Sequence, residues 1–286
     1  MKRYRELIAE RAFLLSALAS SSITVAILGF MVFMGLPLLK QGGLHQLLLK
    51  PWAPFQGLFG IYPMIMGTAA ISLLSLLFAF PLSLGCSFLI GSIAPQTVSK
   101  GFRRLIELMT GIPTVIYGFV GVFLLVPIVR ELFQSGSGLC ILTAALVLGI
   151  MISPTMTLFF CDSFDRIPKA YLDAADALGA SPVQKLLYVI LPAARHGMLN
   201  GVILSLGRAV GDTLIALMLA GNSVRVAESV LEPARTLTAH IALVIAADYE
   251  SPEFRSIFAC GVVLYLFTMT VTFLVRYLSF SKDRTV

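Results

Sequence analysis

Charge is scarce in this chain: 13% of its 286 residues are Asp, Glu, Lys or Arg, against 58% hydrophobic, and mean hydropathy is +0.91. Soluble domains carry about 25% charged residues, so the shortage excludes a water-surrounded globule of this size. A G-x-x-x-x-G-K-[ST] loop is missing too, and no polar stretch is large enough for a nucleotide-hydrolysing domain. Cysteine is sparse: Cys86, Cys140, Cys161 and Cys260 lie in or beside apolar runs without C-x-x-C spacing. They read as small buried hydrophobes rather than disulfides or metal ligands. His45, His196 and His240 are isolated, and without H-E-x-x-H a zinc site has no support. No metal or cofactor is expected. Low-complexity tracts and alignable internal repeats are also lacking.

What is present is apolar length. A hydrocarbon core of about 30 Å needs roughly 20 helical residues per crossing. Residues 12–39, 64–93, 105–129, 139–161, 198–221 and 254–279 qualify. Backbone groups must be paired in lipid, which makes helices the natural solution at these lengths. The expected fold is all-α, a polytopic bundle of six transmembrane helices forming a single domain over residues 1–286. The first run is too long for a signal-peptide core and no convincing cleavage site follows it, so it should stay as a span. Pro81, Pro113, Pro127 and Pro154 interrupt these runs, with Gly111, Gly118 and Gly121 nearby. Such residues kink helices or let them approach closely. Residues 234–247 have a helical pattern too short to span, which suits a re-entrant or surface helix at the outer mouth, or a plain connector.

Lys and Arg fix the orientation. With the N-terminus inside, fourteen lie on inner segments: Lys2, Arg3, Arg5, Arg11, Lys100, Arg103, Arg104, Arg166, Lys169, Lys185, Arg195, Arg276, Lys282 and Arg284. Six lie outside, namely Lys40, Lys50, Arg130, Arg225, Arg235 and Arg255, while Arg208 falls within a span. Both termini and the polar segment 162–197 are therefore expected in the cytoplasm. The net charge of +6 reads as topology and contact with the inner leaflet of the lipid bilayer, not as nucleic-acid binding.

Residues 173–192 read DAADALGASPVQKLLYVILP, too polar for lipid. Pro168 can open a helix at its first position. Ile167, Tyr171, Ala174, Ala175 and Leu178 then share one apolar face. Gly179 suits a left-handed helix end, and Ser181-Pro182 restarts a helix as N-cap and first residue. This stretch resembles the cytoplasmic EAA loop of ABC importer permeases: E-A-A, three residues, Gly, nine residues, Ile, one residue, Leu-Pro. Ala174, Ala175, Gly179, Leu191 and Pro192 match in register; Asp173 replaces Glu and Val189 replaces Ile. The resemblance implies that Asp173, Ala174, Ala175, Gly179, Leu191 and Pro192 couple the chain to a separate ATPase.

A second polar feature, GRAVGDT at residues 207–213, lies inside the fifth run. Arg208 stands near the bilayer midplane, where an Arg or Asp costs roughly 2.5–3.5 kcal/mol. Asp212 follows at i+4, so the two side chains are expected to share a face and pair. Charges at that depth mark a solute path, and the guanidinium fork suits an oxyanion; the alternative is a purely structural pair. The motif resembles R-A-x-G-E-T of phosphate importer permeases of the PstC/PstA type, with Asp for Glu. The likeness continues through GIYPMIMGT at 60–68, ELMTGIPTVIYGFVG at 107–121 and RTLTAHIAL at 235–243, leaning toward PstC.

It implies a permease, not an enzyme, that moves inorganic phosphate across the cytoplasmic membrane by alternating access, with Arg208, Asp212 and Thr213 on the solute path. The implied partners are two cytoplasmic ATPase subunits, a second permease subunit, similar or identical, and an extracytoplasmic phosphate-binding protein. Phosphonate, molybdate or sulfate is the alternative cargo. A membrane enzyme would need an acid–base or metal cluster at depth, and a secondary transporter has no use for a coupling loop.

Overall fold

The computed structural model describes residues 2–134 and 136–280; Lys282 and Arg284 lie outside the described residues. The chain runs through α1 (Lys2–Leu49), a hairpin of β1 (Trp52–Ala53) and β2 (Leu58–Phe59), α2 (Tyr62–Phe88), α3 (Gln96–Thr110), α4 (Thr114–Val120) and α5 (Val126–Phe133). It continues through α6 (Ile141–Asp165), α7 (Lys169–Ala177), α8 (Pro182–Lys185), α9 (Leu191–Gly211), α10 (Leu214–Leu219), α11 (Leu237–Val244) and α12 (Pro252–Phe280). Among the described residues, six helical stretches are long and apolar enough to cross a membrane: Ala9–Leu36, Tyr62–Gly91, Thr114–Phe133, Ile141–Asp165, Pro182–Gly211 and Pro252–Phe273.

The centre of the bundle is α6, packed between α2 and α9. Leu148, Met151, Ile152, Met156 and Phe160 of α6 are buried, with Ile71 and Ala79 of α2 in the same cluster. Small buried residues on α2 (Ser72, Ser75, Ala79, Ser83 and Ser87) recur every three or four positions. Short side chains on one stripe let two helices approach closely where lipid supplies no hydrophobic drive. The Ser83 hydroxyl donates across that contact to the Ser153 carbonyl at 3.0 Å. Pro154 cannot donate to the Ile150 carbonyl four residues back. The Ser153 hydroxyl donates to that carbonyl instead, at 3.0 Å.

Proline also sets the irregular turns. Wide π turns occupy Leu89–Ile93, Gly121–Leu125 and Leu186–Ile190. Each ends two residues before a proline: Pro95, Pro127 and Pro192. At Pro127 and Pro192, which lie in continuing helix, the widened turn makes room for a ring that would clash with the carbonyl one turn back; Pro95 instead follows extended Ala94 and precedes α3. The third span is shorter than the apolar run suggests, because Gly111-Ile112-Pro113 breaks it and α3 folds as a separate amphipathic helix. The fifth helical stretch starts earlier, at Pro182, since a capped start and good helix formers need no apolarity.

At the N-terminal end of α6, the loop carbonyls of Glu232 and Val230 accept its first amides, from Ile141 at 3.2 Å and Leu142 at 2.8 Å. They satisfy donors that a helix N-terminus leaves open. Residues 234–247 contain the short α11, whose first turn, Leu237 to His240, is buried. His240 sits between the Trp52 ring and the Ser256 hydroxyl. Burial, helped by Arg235, holds its imidazole down to about 4, so it is neutral there.

Candidate functional site

Between α6 and α9 the chain forms a bent handle. Pro168 precedes α7, which ends in a double hydrogen-bonded cap: Gly179 N–H donates to Asp176 O at 2.9 Å and Ala180 N–H to Ala175 O at 3.0 Å. That pattern needs a left-handed residue, and Gly179 has φ +75°. Ser181 then opens α8 through a reciprocal capping box with Gln184, and Lys185 pairs with Asp176 across the bend. The expected single apolar face divides in two. Ile167 and Ala175 turn inward, joined by Leu172, Leu186, Ile190 and Leu191 against the core. Tyr171, Leu178 (89% exposed) and Tyr188 (76% exposed) turn outward, and Asp173, Ala174 and Pro192 are exposed beside them.

The second predicted cluster lies at the far end of α9. Arg208 donates from a terminal nitrogen to the Thr155 hydroxyl at 2.8 Å. Thr155 is close to the middle of α6, so the guanidinium is near mid-span. The expected Arg208–Asp212 ion pair does not form among the described residues. Its premise fails because α9 ends at Gly211, and Asp212 is extended with ψ 130°. The Asp212 carboxylate instead accepts the Ile215 amide at 2.8 Å and caps the first turn of α10. Its carbonyl accepts the Thr238 hydroxyl at 2.8 Å, tying the break to α11. Thr213 lies in the break, half-buried, and its carbonyl accepts Leu217 N–H at 2.9 Å.

Arg208 thus keeps most of its donors free. Beside it, a Cβ added at Gly207 or Gly211 would meet nothing within 4 Å, and Leu204 on the same face is exposed. The arginine stands where the α6–α9 seam meets an open face. The handle and the arginine are separate sites on one continuous helix, with Leu191 and Pro192 at its start and Arg208 in its last turn. Seventeen residues at 1.5 Å each put them about 25 Å apart.

The family model described as the binding-protein-dependent transport system inner membrane component matches residues 83–283. The chain belongs to that family. It is a multi-pass membrane protein of this class, and its relatives are transport permease subunits. It is 36% identical over 222 residues to a probable ABC transporter permease protein, YqgH, of Bacillus subtilis, covering 77% of this chain and 72% of the relative. The phosphate transport system permease protein PstC of Xylella fastidiosa strain Temecula1 is 32% identical, with 96% of this chain and 88% of the relative covered. A probable PstC of Methanocaldococcus jannaschii is 28% identical, covering 88% and 87%. Among solved structures, a bacterial ABC transporter involved in alginate import matches with TM-score 0.61 at 16% identity, covering 99% of each chain. An inward-facing MetNI methionine ABC transporter gives TM-score 0.61 at 18%, covering 79% of this chain and 96% of that one. At those identities the likeness establishes the importer-permease fold.

Two members of the deep site were not foreseen. Thr155 is a lone hydroxyl in an apolar run, and nothing in its neighbours marks it as the residue that holds Arg208. Thr238 lies within RTLTAHIAL, but its bond to the Asp212 carbonyl joins residues 26 apart in sequence.

Proposed function

We propose that this chain is the permease subunit of an ATP-driven importer of inorganic phosphate, working by alternating access in the cytoplasmic membrane with both termini in the cytoplasm. Two cytoplasmic ATPase subunits grip the handles of two permeases, this chain and a similar or identical one. An extracytoplasmic phosphate-binding protein loads the outer face. The single observation that carries the reading is Arg208: a mid-span guanidinium with unspent donors, on the helix that begins at the handle. The names of the relatives supply the cargo.

Arginine serves this step because its charge persists at every working pH and its fork fits two oxygens of an oxyanion at once. One hydroxyl contact at Thr155 orients the side chain without neutralising it. Asp212, engaged with the α10 amides, leaves that charge available to the solute. The outward residues Tyr171, Leu178 and Tyr188 offer the ATPase an apolar grip, and force applied there is delivered to α9 at its first turn. Closure then shifts the population between an inward-open and an outward-open state. This chain makes and breaks no covalent bond in that cycle.

The test is Arg208→Ala in the assembled complex. Phosphate uptake should fall at least a hundredfold, while assembly and ATP hydrolysis stay close to wild type. Uptake at the wild-type rate by that variant removes Arg208 from the path.

A further inference from the structure

The seam that holds Arg208 does not stop there. On α6 and at its C-cap, Thr155, Phe159, Asp162 and Arg166 follow at i, i+4, i+7 and i+11, one face of the helix. On α9, Gly197, Asn200, Leu204 and Arg208 follow at i, i+3, i+7 and i+11. The two faces meet. At their cytoplasmic end they enclose a cleft of about 360 Å³ lined by Phe159, Asp162, Ser163, Arg166, Gly197 and Asn200. The helices touch at its floor: a Cβ on Gly197 would lie 2.2 Å from the Ser163 hydroxyl, so only glycine fits.

The cleft carries both signs of charge, with Asp162 and Arg166 exposed to solvent. Asp162 and Arg166 are spaced i, i+4 with the acid first, the favourable order for a pair on one helix. They do not pair. Arg103 of α3 takes Asp162 at 2.5 Å and Asp165 at 2.8 Å instead. Among the described residues, Arg166 has no acidic partner within 4 Å, and neither Arg166 nor Asn200 makes a side-chain hydrogen bond. Asp162 lines the same cavity but is engaged by Arg103, and Arg166 and Asn200, without side-chain hydrogen bonds among the described residues, border it too. Eleven residues along α6 separate it from Thr155, about 16 Å.

We propose that this cleft is a second oxyanion site, a station on the inward side of the seam. Arg166 is its cation, Asn200 a neutral donor, and Arg103 a positioning residue that keeps Asp162 off Arg166. The inference rests on the phosphate reading for the identity of the solute. Phosphoryl oxygens could also come from a lipid headgroup, and the two sources are separable. A solute leaving Arg208 for the cytoplasm would meet a surface cation, weaker and wetter than the one at mid-span, which favours onward release.

The experiment is phosphorus-31 NMR of inorganic phosphate titrated against the purified full chain in nanodiscs, reading line broadening from weak binding. In phosphatidylcholine discs, Arg166→Gln should remove at least half of the broadening and Arg166→Lys should retain most of it. Arg103→Ala should lower it comparably, because Asp162 is released onto Arg166. Arg103→Ala combined with Asp162→Asn should restore it, which a misfolded protein cannot do. Loss of broadening on moving to phosphatidylglycerol discs assigns the cleft to lipid headgroups and overturns its place on the solute path. Broadening that Arg208→Ala removes and Arg166→Gln leaves intact overturns the second site alone. No phosphate broadening in the wild-type chain or any variant overturns the cargo; separate sulfur-33 NMR of sulfate or molybdenum-95 NMR of molybdate then leaves the cleft standing if either ion is broadened and Arg166→Gln abolishes that signal.

Discussion

Arg208, Thr155 and Asp212 divide one task. The arginine supplies charge, the threonine sets its direction, and the aspartate holds the backbone break after which α10 begins. The short aspartate side chain reaches the Ile215 amide three residues on, the geometry of a helix-capping acceptor. Asp212→Ala should cost about 1 kcal/mol through loss of that cap, whereas Asp212→Asn keeps an acceptor and stays near wild type. Thermal unfolding of the purified variants checks this, and equal losses for Ala and Asn would show that the cap is not what Asp212 provides. Residue spacing made the deep charges legible, but not their partnership. The i, i+4 rule assumes an unbroken helix, and the helix ends between the two residues. Whether it continues past Gly211 depends on α11, which supplies the Thr238 bond and is distant in sequence.

At the level of elements the handle is the best-specified part of the chain. Its turn is written locally: Gly179 for the left-handed cap, Ser181 and Gln184 for the box, Pro182 for the first helical residue. Those signals act over a few residues and so could be read before any tertiary contact was known. The direction of each apolar side chain could not, because it depends on where the ends of α6 and α9 lie. The span boundaries show the same divide. The α3–α4 break follows from Gly111 to Pro113, yet a hydropathy window averages across it. A side chain at Gly179 meets no neighbour, but its φ costs about 1–2 kcal/mol for a residue with a Cβ. Gly179→Val should therefore loosen the bend, read as faster amide hydrogen exchange over residues 175–186 with α6 protection unchanged. Exchange identical to wild type would mean that the cap does not stiffen the handle.

Across the whole molecule, α9 carries both proposed sites on one helix, which under the proposed function makes it a lever. Its first turn is braced by Ile190 and Leu191 on the core, and its last turn presents Arg208 beside Thr155 of the most buried helix. The fold class and number of spans follow from apolar length alone, since lipid leaves a backbone few choices. The arrangement around α6 does not, because its serine stripe and proline bypass are matters of fit. The central claim is that a cytoplasmic motor moves this pore half through residues 169–181. Its most direct measurement is uptake of labelled phosphate into vesicles that carry the chain, its ATPase subunits and its binding protein. Uptake should require ATP, and it should stop when the ATPase is left out or when residues 169–181 are replaced by a flexible Gly-Ser segment. Phosphate accumulation at the undiminished rate in either of those preparations would contradict the account.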